Sequence, residues 1–291
     1  MNEDLKVELE KILDKNPNID MEEMNQKFQI IVNNYNNKGV EQFEGLSPTM
    51  MYDLLYTPFN NKIIKMNPNN FDGNDIPIIM QIKYFINIIR EYKEIKLTKA
   101  GNLPPIIVKE IYNKNFISDR AIKLGITKLT KENDVENIVM MRIICTLAGL
   151  IKKQHNKIIL CKNTLKEMES NNILKKIMET AFKKYNWAYF DSFENEMIGQ
   201  FGNNYTLYTL LKYGEKWRDT TFYSKLYFKA FPDLRNKDKY NFSDTCFTSR
   251  TFDRMLKYFG FIEYSDKNLE MGNVKITKLF QKYIKIGMDV A

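Results

Sequence analysis

Histidine and cysteine are nearly missing: the 291 residues hold one His and three Cys. His155 stands alone, and Cys145, Cys161 and Cys246 have no paired spacing, so no zinc set can be assembled from them. The same scarcity argues against a disulfide framework and fits a reducing compartment. Two of the cysteines sit in apolar runs and read as small core residues. No Gly-rich loop runs into Lys-Ser/Thr, and no dinucleotide fingerprint occurs. No Cys has a His partner, and His155 falls at an expected hairpin tip, a poor place for a general base. No cofactor is therefore expected. Long apolar runs are missing too. The longest, Ile138 to Ile151, is interrupted by Arg142 and is too short to span a bilayer. The first residues, Met1-Asn2-Glu3-Asp4-Leu5, are acidic and lack an apolar signal core. The expectation is a cytoplasmic protein with no membrane segment.

Glycine (12) and proline (8) are also few, which favours long helices and few tight turns. What replaces them is lysine, isoleucine and asparagine. The composition, 44% hydrophobic and 27% charged, is that of a folded globular chain. The net charge of +8 is unevenly spread. Residues 1–44 hold ten acids and five bases, whereas 45–291 hold 39 bases and 26 acids. A basic body behind an acidic arm suits a polyanionic partner, because Lys and Arg release condensed counterions from phosphates. A Lys-rich solubilising surface has the same composition.

The stretch from Asn133 to Met168 organises the chain. It reads as a helix over Asp134 to Ala148, Gly149, an apolar-to-basic strand at Leu150-Ile151-Lys152-Lys153, a polar break at Gln154-His155-Asn156, a strand at Lys157-Ile158-Ile159-Leu160-Cys161, and a helix from Asn163. Helix, hairpin, helix is the pattern of a winged helix. A similar order recurs near the end: a helix from Ser249 to Phe259, Gly260-Phe261-Ile262-Glu263-Tyr264, a polar turn, then Asn273 to Lys278. Ile95-Lys96-Leu97-Thr98-Lys99 reads as a short strand, and its Lys96-Leu97-Thr98-Lys99 looks like the end of a third, degenerate copy. The fold class expected is mainly α with short β-hairpins, in two or three winged-helix-like modules plus an N-terminal helical arm. The boundaries expected are 1–44 for the acidic helical arm, 45–130 for a helical domain with the degenerate winged module, 131–185 for the central module, and 186–291 for a helical region ending in the last one.

The arm reads as two amphipathic helices, with Leu5, Leu9, Ile12 and Leu13 on one face and Met21, Met24, Phe28, Ile31 and Val32 on another, broken at Asn16-Pro17-Asn18. Asp20 and Ser47 are natural N-caps, and Pro48 suits a first turn. Asn60 to Asp75 reads as a polar loop, Trp187 to Phe193 as β-prone, and Glu194 to Tyr213 as helical despite Gly199 and Gly202.

Candidate contacts follow from the modules. A winged helix presents the helix before its wing to the major groove. Arg250, Arg254 and Lys257 recur at i, i+4 and i+7, opposite Phe252, Met255, Leu256 and Phe259, and Ser249 stands at the helix start. That set fits phosphates and base edges; it equally fits a solvated face opposite a core face. The central wing adds Lys152, Lys153 and Lys157, in a stretch (Lys152 to Lys184) with nine lysines and three glutamates. Two alternatives stay open. One is a protein-interaction scaffold in which the winged folds are structural. The other is a carboxylate or metal-dependent hydrolase built on Asp191, Glu194 and Glu196, beside the aromatic run from Trp187.

The residues Gly45-Leu46-Ser47-Pro48, Met51, Leu54-Leu55-Tyr56 and Pro58-Phe59 resemble a segment of uncharacterised bacterial proteins, some of which also carry SEC-C metal motifs or plasmid-derived domains. Lys96-Leu97-Thr98-Lys99, Gly101-Asn102-Leu103-Pro104 and the run Trp187, Tyr189, Phe190, Asp191 are similar too. The resemblance covers roughly residues 45–290 and implies no activity and no catalytic residues. The chain lacks the cysteine-rich SEC-C tail, so a metal role does not carry over.

Overall fold

The computed structural model describes residues 3–15, 19–57, 59, 61–66, 73–170, 172–235, 242–266 and 272–287. It is mainly helical, with small antiparallel sheets. No helix among the described residues is long and apolar enough to cross a membrane.

The arm forms as its caps dictate. Helix α1 (Glu3–Lys15) is followed by α2 (Met21–Asn37), whose first turn is capped by Asp20 accepting from the Glu23 amide at 2.8 Å. The break at Asn16-Pro17-Asn18 lies outside the described residues. Helix α2 buries no residue fully and rests against α3 (Pro48–Tyr56), where Ser47 Oγ accepts from the Met50 amide. Strand β1 (Ile64–Met66) follows, inside the stretch read as a loop.

The first folded unit runs from α4 (Pro77–Tyr92) through β2 (Ile95–Lys96), α5 (Pro105–Asn113), the short α6 (Arg120–Lys123) and α7 (Glu136–Leu147) to the hairpin β3 (Ile151–Gln154) and β4 (Lys157–Leu160). Ile78, Ile82, Phe85, Ile86 and Ile89 all face the core, as their helical spacing requires. The hairpin turns through His155 (φ 47°) and Asn156 (φ 59°), two left-handed residues in succession, which matches the twist of the flanking strands. Asn156 also pins the tip: Leu97 N donates to its carbonyl at 2.9 Å, and its Nδ2 donates to the Leu97 carbonyl at 3.2 Å. Strand β2 therefore joins the hairpin in one antiparallel sheet ordered β2-β4-β3, with Ile95 opposite Ile158 and Lys96 opposite Lys157. The Lys96-Leu97-Thr98-Lys99 stretch, read in the sequence as the end of a separate degenerate module, supplies the first strand of the central one. The short strand expected at Ile95 to Lys99 is present over Ile95–Lys96; what the sequence does not show is its distant partner β4.

After α8 (Thr164–Met168) and α9 (Ile173–Lys183) comes the aromatic run. It is a 3-10 turn, Trp187–Phe190, rather than a strand, because Asn186 Oδ1 caps the Ala188 amide and Trp187 is buried with its indole N–H on the Ala181 carbonyl at 2.8 Å. The helix expected from Glu194 begins only at Asn203, since Gly199 and Gly202 both hold φ +73°.

The second unit repeats the element order of the first: α10 (Asn203–Tyr213), β5 (Arg218–Asp219), α11 (Thr220–Ala230), α12 (Phe242–Phe247) running directly into a π-helical stretch Thr248–Leu256, then β6 (Ile262–Asp266) and β7 (Gly272–Ile276). Its sheet is ordered β5-β7-β6, so again the first strand lies beside the last. Helix α13 (Lys278–Tyr283) and β8 (Ile284–Ile286) end the described chain, and β8 pairs antiparallel with β1, Ile64 opposite Ile286. The end of the second unit is thereby tied to the entrance of the first, and both share one apolar core.

Candidate nucleic-acid interface

The π-helical stretch carries the arginines that the sequence placed on an exposed stripe. Its apolar face packs inward through Phe252, Met255 and Leu256, as expected. The other face is not solvent. The segment 187–198 wraps over it, and Arg250 is 0% exposed. Its guanidinium donates Nε to Asp191 Oδ2 at 3.0 Å, Nη2 to Asp191 Oδ1 at 2.6 Å, and Nη1 to the carbonyls of Asn195 (2.8 Å) and Ile198 (2.9 Å). The remaining Nη2 N–H reaches the Phe193 carbonyl at 3.5 Å. Every donor of the fork is occupied, which is what allows a charge to be buried at all.

Arg254 completes the arrangement. Its Nη1 donates to Asp191 Oδ2 at 2.6 Å and to the Trp187 carbonyl at 3.3 Å, and its Nε pairs with Glu136 Oε1 at 2.5 Å. Glu136 opens α7, so the pair joins the third helix of one unit to the third helix of the other. Burial alone would raise the Asp191 carboxyl, but hydrogen bonds and charge from Arg250 and Arg254 outweigh it and hold the group below the usual carboxylate range. Glu136 goes the other way. Burial pushes it up to about 7, with Asp253, Asp119 and Asp191 reinforcing the shift and Arg254 opposing it.

Arg250 and Arg254 are thus ties between units and not contacts for an external phosphate, contrary to the sequence expectation. The reason is tertiary: an i, i+4 stripe opposite a core face reads as exposed unless another segment covers it, and segment 187–198 is remote in sequence. Ser249 is half-buried, and Lys257 keeps partial exposure while its Nζ pairs with Asp253 Oδ1 at 2.6 Å. Helix α7 is covered as well. Asn137, expected on its outer face, is buried and accepts from Gln81 Nε2 at 3.1 Å, while Arg142 donates Nε to the buried Glu132 at 2.5 Å. Neither third helix presents an open base-reading face in this arrangement.

The wing residues are placed differently. Lys152 and Lys153 are exposed on β3, together with Gln154 and His155. Lys157 is half-exposed and pairs with Glu94 at 2.6 Å. The structure therefore separates the sequence-predicted residues into a buried pair at the joint and exposed lysines on the β3-β4 hairpin.

The carboxylates of the hydrolase alternative do not gather into one metal-binding set. Both oxygens of Asp191 are held by guanidinium groups, Glu194 and Glu196 are exposed, and no three His, Cys, Asp or Glu side chains gather among the described residues. What sequence reading missed was the role of Asp191 as a counter-ion.

No protein-family model matches the chain, and no curated protein or solved structure matches it either.

Proposed function

We propose that the two units are winged-helix modules and that the chain binds nucleic acid. The observation that carries this reading is the repeated element order. Leaving aside the four-residue α6, which has no counterpart in the second unit, each unit runs helix, strand, helix, helix, hairpin, with its first strand beside the last strand of the hairpin. That layout sets a helix and a hairpin side by side, as helix-turn-helix folds do at the groove and backbone of a duplex. The basic balance of residues 45–291 supports the same reading, since phosphate neutralisation supplies most non-specific affinity. The resemblance to uncharacterised bacterial proteins belongs to this proposal and adds no activity to it.

The test is binding of the full chain to a labelled random-sequence duplex and to a single strand across a salt series. The expected result is affinity that falls linearly with salt on logarithmic axes. Absence of binding at low salt contradicts the reading.

A second reading, a protein-interaction scaffold, draws on a specific observation: both third helices are buried at the joint, while the arm exposes Met21 and Ile30 (70% and 59%). On this reading the winged folds are structural, and the chain ignores nucleic acid at low salt.

A further inference from the structure

We propose that the outer face of the β2-β4-β3 sheet is the surface that grips nucleic acid. Its ligand is the phosphate backbone of a duplex, held without reading the sequence. This rests on the nucleic-acid reading above and names the surface and the chemistry it recognises.

Register fixes which side chains share that face. Ile95 lies opposite Ile158, and both are buried, as is Ile151 on the outer strand of the hairpin. Alternation then sends the intervening residues outward. Lys96 lies opposite Lys157, and Lys157 lies opposite Gln154, so these three form one row across all three strands. Lys152 lies opposite Ile159 in the next outward row. Neighbouring strands are about 4.8 Å apart and outward residues along one strand about 7 Å apart, so three ammonium groups stand on one small patch. One more lysine borders it: Lys99, exposed in the loop after β2. Lys153, paired with the buried Ile158, falls on the other side of β3 by the same alternation and is exposed beside that loop, its Nζ 3.6 Å from where a Gly101 side chain would begin. Lys96, Lys99, Lys152 and Lys153 have no ion pair among the described residues, and the acid at the edge, Glu94, is engaged by Lys157.

The second sheet serves as an internal comparison. On its corresponding outward row Glu263 lies directly opposite Lys275. That pair is charge-balanced, whereas the first face carries Lys96, Lys152 and Lys157 with no acid on its own strands. The difference between two units of one topology is what singles out the first sheet.

The side chains also define the ligand. Lysine ammoniums are compact point charges that meet phosphates without the planar fork that reads guanine edges. The two forks that could read bases, Arg250 and Arg254, are turned into the joint. A platform held rigid by the pinned tip at Asn156, carrying lysines and no open reading helix, matches backbone gripping.

The experiment compares the wild-type chain with K96Q/K99Q/K152Q and with K275Q as control. Each is titrated by anisotropy against two unrelated duplexes over a salt series, with vesicles of anionic lipid as a separate arm. Circular dichroism checks that the variants fold. The expected result is equal affinity for both duplexes. The triple variant should bind more than about tenfold more weakly at low salt, with a log–log slope shallower by about 2.7, from roughly 0.9 for each phosphate no longer neutralised. K275Q should bind as wild type does. A wild-type chain that binds no duplex overturns the nucleic-acid reading and this inference with it. Wild-type binding that the triple substitution leaves unchanged overturns the sheet face alone. Preference for one duplex, or tighter binding to vesicles than to either duplex, overturns the assignment of the ligand.

Discussion

The guanidinium of Arg250 and the carboxylate of Asp191 lie edge to edge, Nε to Oδ2 at 3.0 Å and Nη2 to Oδ1 at 2.6 Å. Arg250 comes from the third helix of the second unit and Asp191 from the segment that links the units. Removing the arginine leaves a nearly buried carboxylate with Arg254 alone and frees three backbone carbonyls. Arg250→Ala is expected to cost about 3–5 kcal/mol of stability. Arg250→Lys keeps the charge but loses the fork, and is expected to cost about 2 kcal/mol, in the range of one charge-assisted hydrogen bond. Urea denaturation of the three proteins measures both values. A midpoint unchanged in Arg250→Ala would mean that the joint does not need this pair.

The same joint gives the protein a pH response. Glu136 titrates at about 7 in the folded chain, above its ordinary value of 4.5. The unfolded chain therefore releases this proton first as pH rises. Its contribution to stability is fully present below the ordinary value and declines between about 4.5 and 7. Asp191, held low by its arginines, acts in the opposite sense and loses its contribution as pH falls through its depressed value. Thermal unfolding from pH 5 to 8 should show a decline for wild type that flattens in Glu136→Gln. Parallel curves for the two proteins would exclude this role for Glu136.

Gly199 is the place where the linker approaches the arginine most closely. Its φ is +73°, and a Cβ there would stand 2.9 Å from Arg250 Cβ and 3.2 Å from Thr251 Oγ1. Gly199→Ala combines left-handed strain with that overlap, and a loss of about 1–3 kcal/mol is expected. A melting temperature equal to wild type would show that the linker can move away from the helix.

Glu94 restrains Lys157, the central lysine of the basic sheet row. The pair is surface-exposed, at 40% and 45%, so its own contribution to stability is small. Glu94→Gln should leave the melting temperature nearly unchanged while strengthening duplex binding and steepening its salt dependence by up to about 0.9, the equivalent of one further phosphate neutralised. A variant that binds more weakly would place Glu94 among the groups that touch the duplex.

The elements with strong local signals were legible in the sequence. The α7-hairpin segment, the Asp20 and Ser47 caps and the apolar face of α4 follow from periodicity and capping chemistry, and the structure has them where the residues put them. The failures share a cause. The short strand expected at Ile95 to Lys99 is present as β2, but its pairing with β4, far along the chain, has no local mark. Strands β1 and β8 pair between the two ends of the chain, with no local mark in either. Segment 194–202 has the composition of a helix but turns at two left-handed glycines. The site divides in the same way. Exposure of Lys152 and Lys153 follows from their place on a hairpin, a local property. Burial of Arg250 depends on a segment 52 to 59 residues earlier in the chain, and an i, i+4 pattern carries no information about what covers it.

The most direct measurement is lysine acylation footprinting of the intact chain with and without a saturating random-sequence duplex, read by mass spectrometry. Protection is expected at Lys96, Lys99 and Lys152, with Lys257 and Lys275 labelled equally in both states. Protection at Lys257 with an unprotected wing would contradict this expectation, and would return the interface to the third helix of the second unit.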